Sequence, residues 1–437
     1  MMDLVPIITK LVGAAVMTII IGGLVLRSRY FRNLPIWTIM AFAAFVSIAG
    51  GLVNPDDVSE YISWNTILFL IGMFSIGALA NSSGLLEYMV AVAATKARSP
   101  RSLIVVLTVA FGLIAAFFVN DAVAAMGSLI VVPLAKAAGL DPELLILVLA
   151  FSVTIGSTMT PLGNPQNMLI AVDSGMRAPL LEFMEYLAVP TVVNLLVTGY
   201  LLARLYNVTA SGRVTWYRIP EEAIRNRRDA VLAGGAILVV VVALLVNNVL
   251  QLLRRPAISE EGIIPFTVAA ATYVLSSNPR ETIKEVNWGT IVFFITMFIA
   301  MDGLWGSGLI TPLFYAVLPA VERGLDGILR ISLASLAFSQ LLSNVPFVEL
   351  FITYMQGLGY GPSYTMPWVT LAMASTIAGN LTILGAASNV IILEGAESNY
   401  GVSVSYWKFM KIGALVTLVN TLIYLAFMIP LYYILTA

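Results

Sequence analysis

Apolar residues in this chain come in runs of about 20, the length that crosses the hydrocarbon core of a bilayer as helix, with short polar segments between them. They predict spans over Val5–Leu26, Leu34–Val53, Trp64–Ser83, Pro142–Val172, Phe183–Leu205, Ala230–Leu252, Ile263–Ser277, Trp288–Ser307, Tyr364–Leu393 and Phe409–Leu435. Two further apolar regions, Ser102–Ala138 and Ile331–Leu358, are interrupted midway, the first at Asn120-Asp121 and the second at Ser343-Asn344 with Pro346 just after. Each arm is about 15 residues, short for a full crossing, which favours re-entrant hairpins over pairs of short helices; either returns the chain to the side it left. The pattern predicts an all-α polytopic membrane protein with ten transmembrane helices plus two re-entrant hairpins.

One run is polar where a plain span has no reason to be. Thr154–Asn167, TIGSTMTPLGNPQN, holds two Pro, two Gly, two Asn, one Gln, one Ser and three Thr. Pro161 and Pro165 remove backbone donors, Gly163 permits a turn, and the amides and hydroxyls replace lost backbone partners. Irregular backbone at bilayer depth is tolerated only where it is buried in protein or lines a polar cavity, so this stretch reads as half of a substrate or ion site.

Composition narrows the chemistry. The chain has 437 residues, 59% hydrophobic and 11% charged, with mean hydropathy +0.93. Net charge is −1, so nothing argues for nucleic acid. Without Cys or His, thiolate and imidazole metal sites and Cys nucleophiles are excluded, and proton coupling must use a carboxylate. The Gly-x-Gly-Asp signature of an intramembrane aspartyl protease does not occur, and no enzyme activity is expected. The first apolar run has no small-residue cleavage site and reads as a retained span. With the N-terminus outside, 17 of the 23 Lys and Arg fall in cytoplasmic segments, among them Arg27, Arg29, Arg32, Arg213, Arg218, Arg280 and Lys284. Six, among them Arg177, Arg254, Arg255 and Arg323, fall outside. The bias selects that orientation.

The chain also repeats itself. WNTILFLIGMFSIGALANSSGLL at Trp64–Leu86 matches WGTIVFFITMFIAMDGLWGSGLI at Trp288–Ile310 at 10 of 23 positions. The polar stretch matches Thr376–Asn389, TIAGNLTILGAASN, at 6 of 14. Asn120 falls opposite Asn344, and Asn194 opposite Asn420. Residues 1–206 and 230–437 thus read as two copies joined by a basic linker, 207–229. Five crossings per copy force the second upside down relative to the first, the inverted repeat characteristic of secondary transporters.

These residues resemble the ion transporter superfamily: arsenite permeases, citrate transporters, sodium/proton antiporters and divalent-anion/sodium symporters. The resemblance covers nearly the whole chain and rests on FFVNDAVA (Phe117–Ala124), TPLGNPQN (Thr160–Asn167), LLSNVPFVEL (Leu341–Leu350) and STIAGNLTILGAASN (Ser375–Asn389). It is nearest to the arsenite-permease and citrate-transporter-like anion permeases. It implies a scaffold domain and an elevator-like transport domain, a homodimer in the plasma or inner membrane, and no cofactor beyond Na+ or H+ as coupling ion. The implied half-sites are Asn120, Asp121, Ser157, Thr158, Thr160, Asn164 and Asn167, and then Ser343, Asn344, Asn380, Thr382, Ser388 and Asn389. Na+ would sit at Asn120, Asn167, Asn344 and Asn389. The symporter branch carries Ser-Asn-Thr at both hairpin tips; here the tips read Val119-Asn120-Asp121 and Ser343-Asn344-Val345, so that branch's dicarboxylate contacts do not carry over.

Three intramembrane acids, Asp121, Glu349 and Asp302, are candidates for coupling, each present in one copy only. A carboxylate at mid-bilayer costs about 2.5–3.5 kcal/mol on insertion scales and needs a partner or a role. No Lys or Arg falls in a core segment near the breaks, so an anion would be held by backbone dipoles and co-bound cations. The expected function is secondary transport of a small anion, an inorganic oxyanion or carboxylate, coupled to Na+ or H+. A Na+/H+ antiporter, an arsenite efflux permease and an ion channel are the alternatives. Ion coupling is expected at the first half-site, which the acid faces.

Overall fold

Proline opens many of the helices and glycine closes several, as the backbone limits of each dictate. The computed structural model describes residues 5–29, 34–210, 220–321 and 324–436; part of the linker (211–219, with Arg213 and Arg218), Arg32 and Arg323 lie outside them. Among the described residues the structure is helical, with no strand. The first half holds α1 (Val5–Arg29), α2 (Ile36–Ala49), α3 (Val58–Tyr61), α4 (Trp64–Ser82), α5 (Leu85–Ala94), α6 (Pro100–Ala115), α7 (Asn120–Ala137), α8 (Pro142–Ser157), α9 (Pro165–Asp173) and α10 (Pro179–Leu205). The second holds α11 (Arg227–Leu252), α12 (Ile263–Leu275), α13 (Pro279–Lys284), α14 (Trp288–Gly306), α15 (Thr311–Val317), α16 (Gly324–Leu342), α17 (Asn344–Leu358), α18 (Thr365–Ala378), α19 (Ala387–Tyr400) and α20 (Tyr406–Thr436).

Eight of the described helices are long and apolar enough to cross a membrane: α1, α4, α7, α10, α11, α14, α16 and α20. Two of these, α7 and α16, are arms of the interrupted regions. Two of the expected spans are split, into α8 with α9 and α18 with α19. Two more are short. α2 has 14 residues and α12 has 13, about 20 Å of helix against a core of about 30 Å. Pro35 and Gly50 bound the first; Gly262 opens the second. The chain is a multi-pass membrane protein.

Packing sorts the helices into two groups. α2 lies on α14 and α4 on α12; separately, α6 lies on α8, α16 on α18, α7 on α19 and α17 on α9. Small residues set the closest approaches. A Cβ on Gly156 of α8 would stand 2.0 Å from the Gly112 carbonyl oxygen of α6, and one on Gly72 would meet the Pro265 backbone at 2.4 Å. Between α10 and α20 runs a buried polar seam. Asn420 donates to the Asn194 amide oxygen (2.9 Å) and the Thr198 hydroxyl (3.0 Å), and Thr191 shares a hydrogen bond with Tyr424 (2.7 Å).

Candidate functional site

Both interrupted regions turn on a strained residue. Val119 has φ 32° and Ser343 has φ 70°, left-handed values that L side chains rarely adopt. Each strained residue is followed directly by the first residue of a helix, Asn120 of α7 and Asn344 of α17. Asn120, Asp121 and Asn344 are buried.

The breaks are built from the same parts. Thr160 and Thr382 are extended (φ −138° and −135°), and a 3₁₀ turn follows each, Pro161–Gly163 and Ile383–Gly385. In the first break, Asn167 donates to the carbonyls of Ser157 (3.0 Å), Thr158 (3.4 Å) and Thr160 (3.3 Å). Asn389 makes the matching bonds to Gly379 (2.8 Å) and Thr382 (3.4 Å). Side-chain amides thereby replace the backbone donors that the broken ladder lost, each lost partner otherwise costing about 1–3 kcal/mol.

The breaks differ in what they leave open. Asn164 donates to the Ser157 carbonyl and hydroxyl (3.1 Å each) and to Thr376 Oγ1 (3.2 Å), and its Oδ1 caps α9 through the Asn167 N–H (2.8 Å). Thr376 donates to Asn167 Oδ1 (3.2 Å), and Thr160 to the Ala116 carbonyl. In the second break, Thr382 donates to Gln340 Oε1 (2.9 Å). Yet Asn389 Oδ1, Ser388 Oγ and both amide atoms of Asn380 lack any hydrogen-bond partner while buried, as do Asn120 Oδ1 and Asn344 Oδ1 at the tips.

Tips and breaks converge on one cavity of about 360 Å³. Its lining includes Asn120 and Asp121 of the first tip, Ser343 and Asn344 of the second, Thr154, Pro165 and Gln166 of the first break, and Thr376 and Gly385–Ala387 of the second. The first residues of α7, α9, α17 and α19 therefore all line it: four helix N-termini, each carrying roughly half a positive charge. Trp37, Asn287, Thr290, Phe293, Phe294 and the acidic Glu394 also line the cavity. Among the described lining residues there is no Lys or Arg. Among the described residues Asp121 has neither a hydrogen-bond partner nor a charged neighbour, so the capping role a tip carboxylate often plays is not seen.

Ser157, Thr158, Thr160, Asn164, Asn167, Asn380, Thr382, Ser388 and Asn389 lie in or beside the breaks and not on the cavity surface. Glu349 and Asp302 do not line it either; Glu349 instead lies within electrostatic reach of Asp173 and Asp302. Sequence reasoning passed over Glu394 and the cavity-facing Gln166. Gln166 stood inside the quoted motif, whereas Glu394 follows the last apolar residue of its predicted span and gave no signal.

Two groups of packed helices around a cavity between broken spans define a membrane transporter. The sequence profile of the citrate transporter family matches residues 15–378, and the chain belongs to that family. It is 27% identical over 370 residues to a protein of Mycobacterium tuberculosis named as an uncharacterised transporter, covering 82% of this chain and 84% of that one. It is 25% identical over 443 residues to the silicon efflux transporter of Oryza sativa subsp. japonica, covering 87% and 89%. Among solved structures, the Neisseria gonorrhoeae MtrF efflux pump shares the fold, with TM-score 0.53, 15% identity and coverage of 86% and 85%.

Proposed function

We propose that this protein is a secondary active transporter that carries a small anion, an inorganic oxyanion or a carboxylate, together with Na+ or H+. Alternating access is of the elevator type, a transport domain moving against a scaffold domain, each drawing helices from both inverted repeats (1–206 and 230–437), and the assembly is a homodimer with a cavity in each copy. The observation that supports this reading best is the meeting of four helix N-termini in one cavity. Backbone dipoles can hold an anion there and still release it, as a fixed Lys or Arg would do less readily. The opposite-sign groups supply the coupling. Asp121 faces the cavity, and the open oxygens of Asn344, Asn380, Ser388 and Asn389 suit Na+. The sequence reading expects ion coupling at the first half-site, yet the amides of its break are engaged by their own backbone and by Thr376, leaving Asn120 Oδ1 as the open amide oxygen there. The open oxygens favour Na+ at the second half, with Asp121 taking a cation or a proton across from it.

The test is reconstitution into liposomes, with uptake of carboxylates and inorganic oxyanions compared under imposed Na+ and pH gradients. Gradient-driven uptake of one anion class, lost in Asp121→Asn, supports the proposal. Internal pH changes driven by Na+ with no anion present would assign a Na+/H+ antiporter instead, and single-channel currents a channel. A second reading is efflux of an undissociated hydroxide such as arsenite. The absence of Lys and Arg from the described lining and the name of the rice relative favour it; transport indifferent to membrane potential and to both gradients is its signature.

A further inference from the structure

The cavity is lined by the N-terminal ends of α2 and α14 (Ile36, Trp37, Gly289, Thr290); at an end its lining does not reach, hydrogen bonds tie α4 and α11 to α9 and α10. From within α10, Glu182 accepts only from the Ala178 N–H (3.2 Å), and Ala178, the N-cap residue, offers no side-chain cap. Asn248 of α11 supplies one from outside: its Oδ1 accepts from Leu180 N (2.9 Å) and Leu181 N (3.4 Å). The Asn248 amide is oriented in turn by Glu261, whose Oε1 accepts from Asn248 (2.7 Å), Asn247 (3.1 Å) and Gln251 (3.4 Å). Six residues before α10 begins, Asp173 Oδ1, at the end of α9, accepts from the Ser63 hydroxyl (2.9 Å), at the start of α4. Gly262 N donates to Asn65 Oδ1 (2.7 Å), joining the Glu261 loop to the same start of α4. The turn between α9 and α10 is thus pinned at one end to α4 and at the other to α11, whose Asn248 is held by Glu261.

The charges around these pins are mostly of one sign. Asp173 feels Glu260 of the α11–α12 loop; Glu349 of α17 feels Asp173 and Asp302 of α14. Glu182, Glu185 and Arg177 belong to the start of α10, with Glu182 bonded to Thr365 (3.1 Å). Arg254 and Arg255, on the Glu261 loop, are exposed. Among the described residues neither Asp173 nor Glu261 is in an ion pair.

We propose that the Glu261–Asn248–α10 contacts and the Ser63–Asp173 contact form a latch that keeps this end shut while its carboxylates are protonated and frees it when they ionise. Burying an ionised carboxyl with no cation beside it is costly, and opening hydrates it, so ionisation favours the open arrangement. Protons bind the shut state more tightly and shift the population toward it. Proton concentration on the latch side therefore sets how long the cavity stays exposed to the other side. The inference rests on the alternating-access reading.

The chain has no Cys, so one introduced at Ile391, on the cavity wall, is a unique reporter for a membrane-impermeant maleimide added to either side of oriented vesicles. Labelling from the latch side is expected to rise severalfold as pH on that side goes from about 6 to about 8. Asn248→Ala should raise it at every pH, and Glu261→Gln should keep it lower with a shallower rise, the remainder coming from Asp173. Latch-side labelling that ignores pH and both substitutions, in variants still labelled from the mouth, overturns the latch alone. Equal labelling from both sides at once shows an open pore and overturns the alternating-access reading with it.

Discussion

Asp121 and Asn164 show how differently two polar residues can be placed in the same apolar surroundings. Asp121 has no hydrogen-bond partner among the described residues and lines the cavity. Asn164 is fully enclosed and bonded through both ends of its amide. Asp121→Asn should lower transport about tenfold or more, equivalent to about 1.4 kcal/mol of barrier, and flatten its pH profile in liposome assays. Asn164→Ala should instead lower stability by about 1–3 kcal/mol through lost bonds and a lost cap, read as earlier thermal unfolding in detergent. Asn344→Ala, at an amide oxygen that bonds to nothing, should leave the unfolding temperature nearly unchanged and weaken cation dependence. Polar residues inside apolar runs were legible in the sequence because a span has no use for them. Glu394, Asp173 and Glu261 were not, since a charged residue at the end of an apolar run looks the same whether it meets water or a buried contact.

Helices were legible to the extent that their ends carry chemistry. Proline and glycine marked the first break, and the second, without proline, turns in the same way because Asn389 bonds across it as Asn167 does. The short helices α5 and α15 gave no pattern of their own, being too brief for a period to stand out. The tight crossing of α6 and α8 also left no trace, as a glycine in a span looks alike against lipid or backbone. It does yield a prediction. In Gly156→Ala the new methyl would fall 2.0 Å from the Gly112 carbonyl oxygen, backbone that cannot turn aside. The expected cost is about 1–3 kcal/mol or more, measurable as a lower midpoint in thermal unfolding.

For the molecule as a whole, the end at which the cavity opens could not be read from the sequence, because it depends on how two helix groups happen to stand. Stability should depend on pH through the closed end. Burial pushes Glu261 up to about 7, its amide donors only partly opposing this. The folded form then holds a proton that the unfolded chain, at about 4.5, has already released. Its contribution is therefore greatest below about 4.5 and falls as pH rises toward 7, by up to about 3 kcal/mol. Unfolding midpoints across that range should decline in the parent chain and decline less in Glu261→Gln.

The seam between α10 and α20 carries one further consequence. Asn194 and Asn420 fall opposite each other in the internal sequence match and hydrogen-bond to each other, as a residue and its symmetry mate do in a two-fold dimer. On the inverted-repeat reading proposed above, an ancestor half this length would pair with itself through that contact, and joining the copies lets the two tips differ, an acid at one opposite a valine at the other. The joint adds little beyond proximity, since loop closure costs grow slowly with length. Residues 1–210 and 220–437 made as separate polypeptides should therefore reassemble in the membrane and co-purify, and Asn420→Leu should lower the yield of the pair, the helix pairs α2/α14, α4/α12 and α7/α19 still joining the halves.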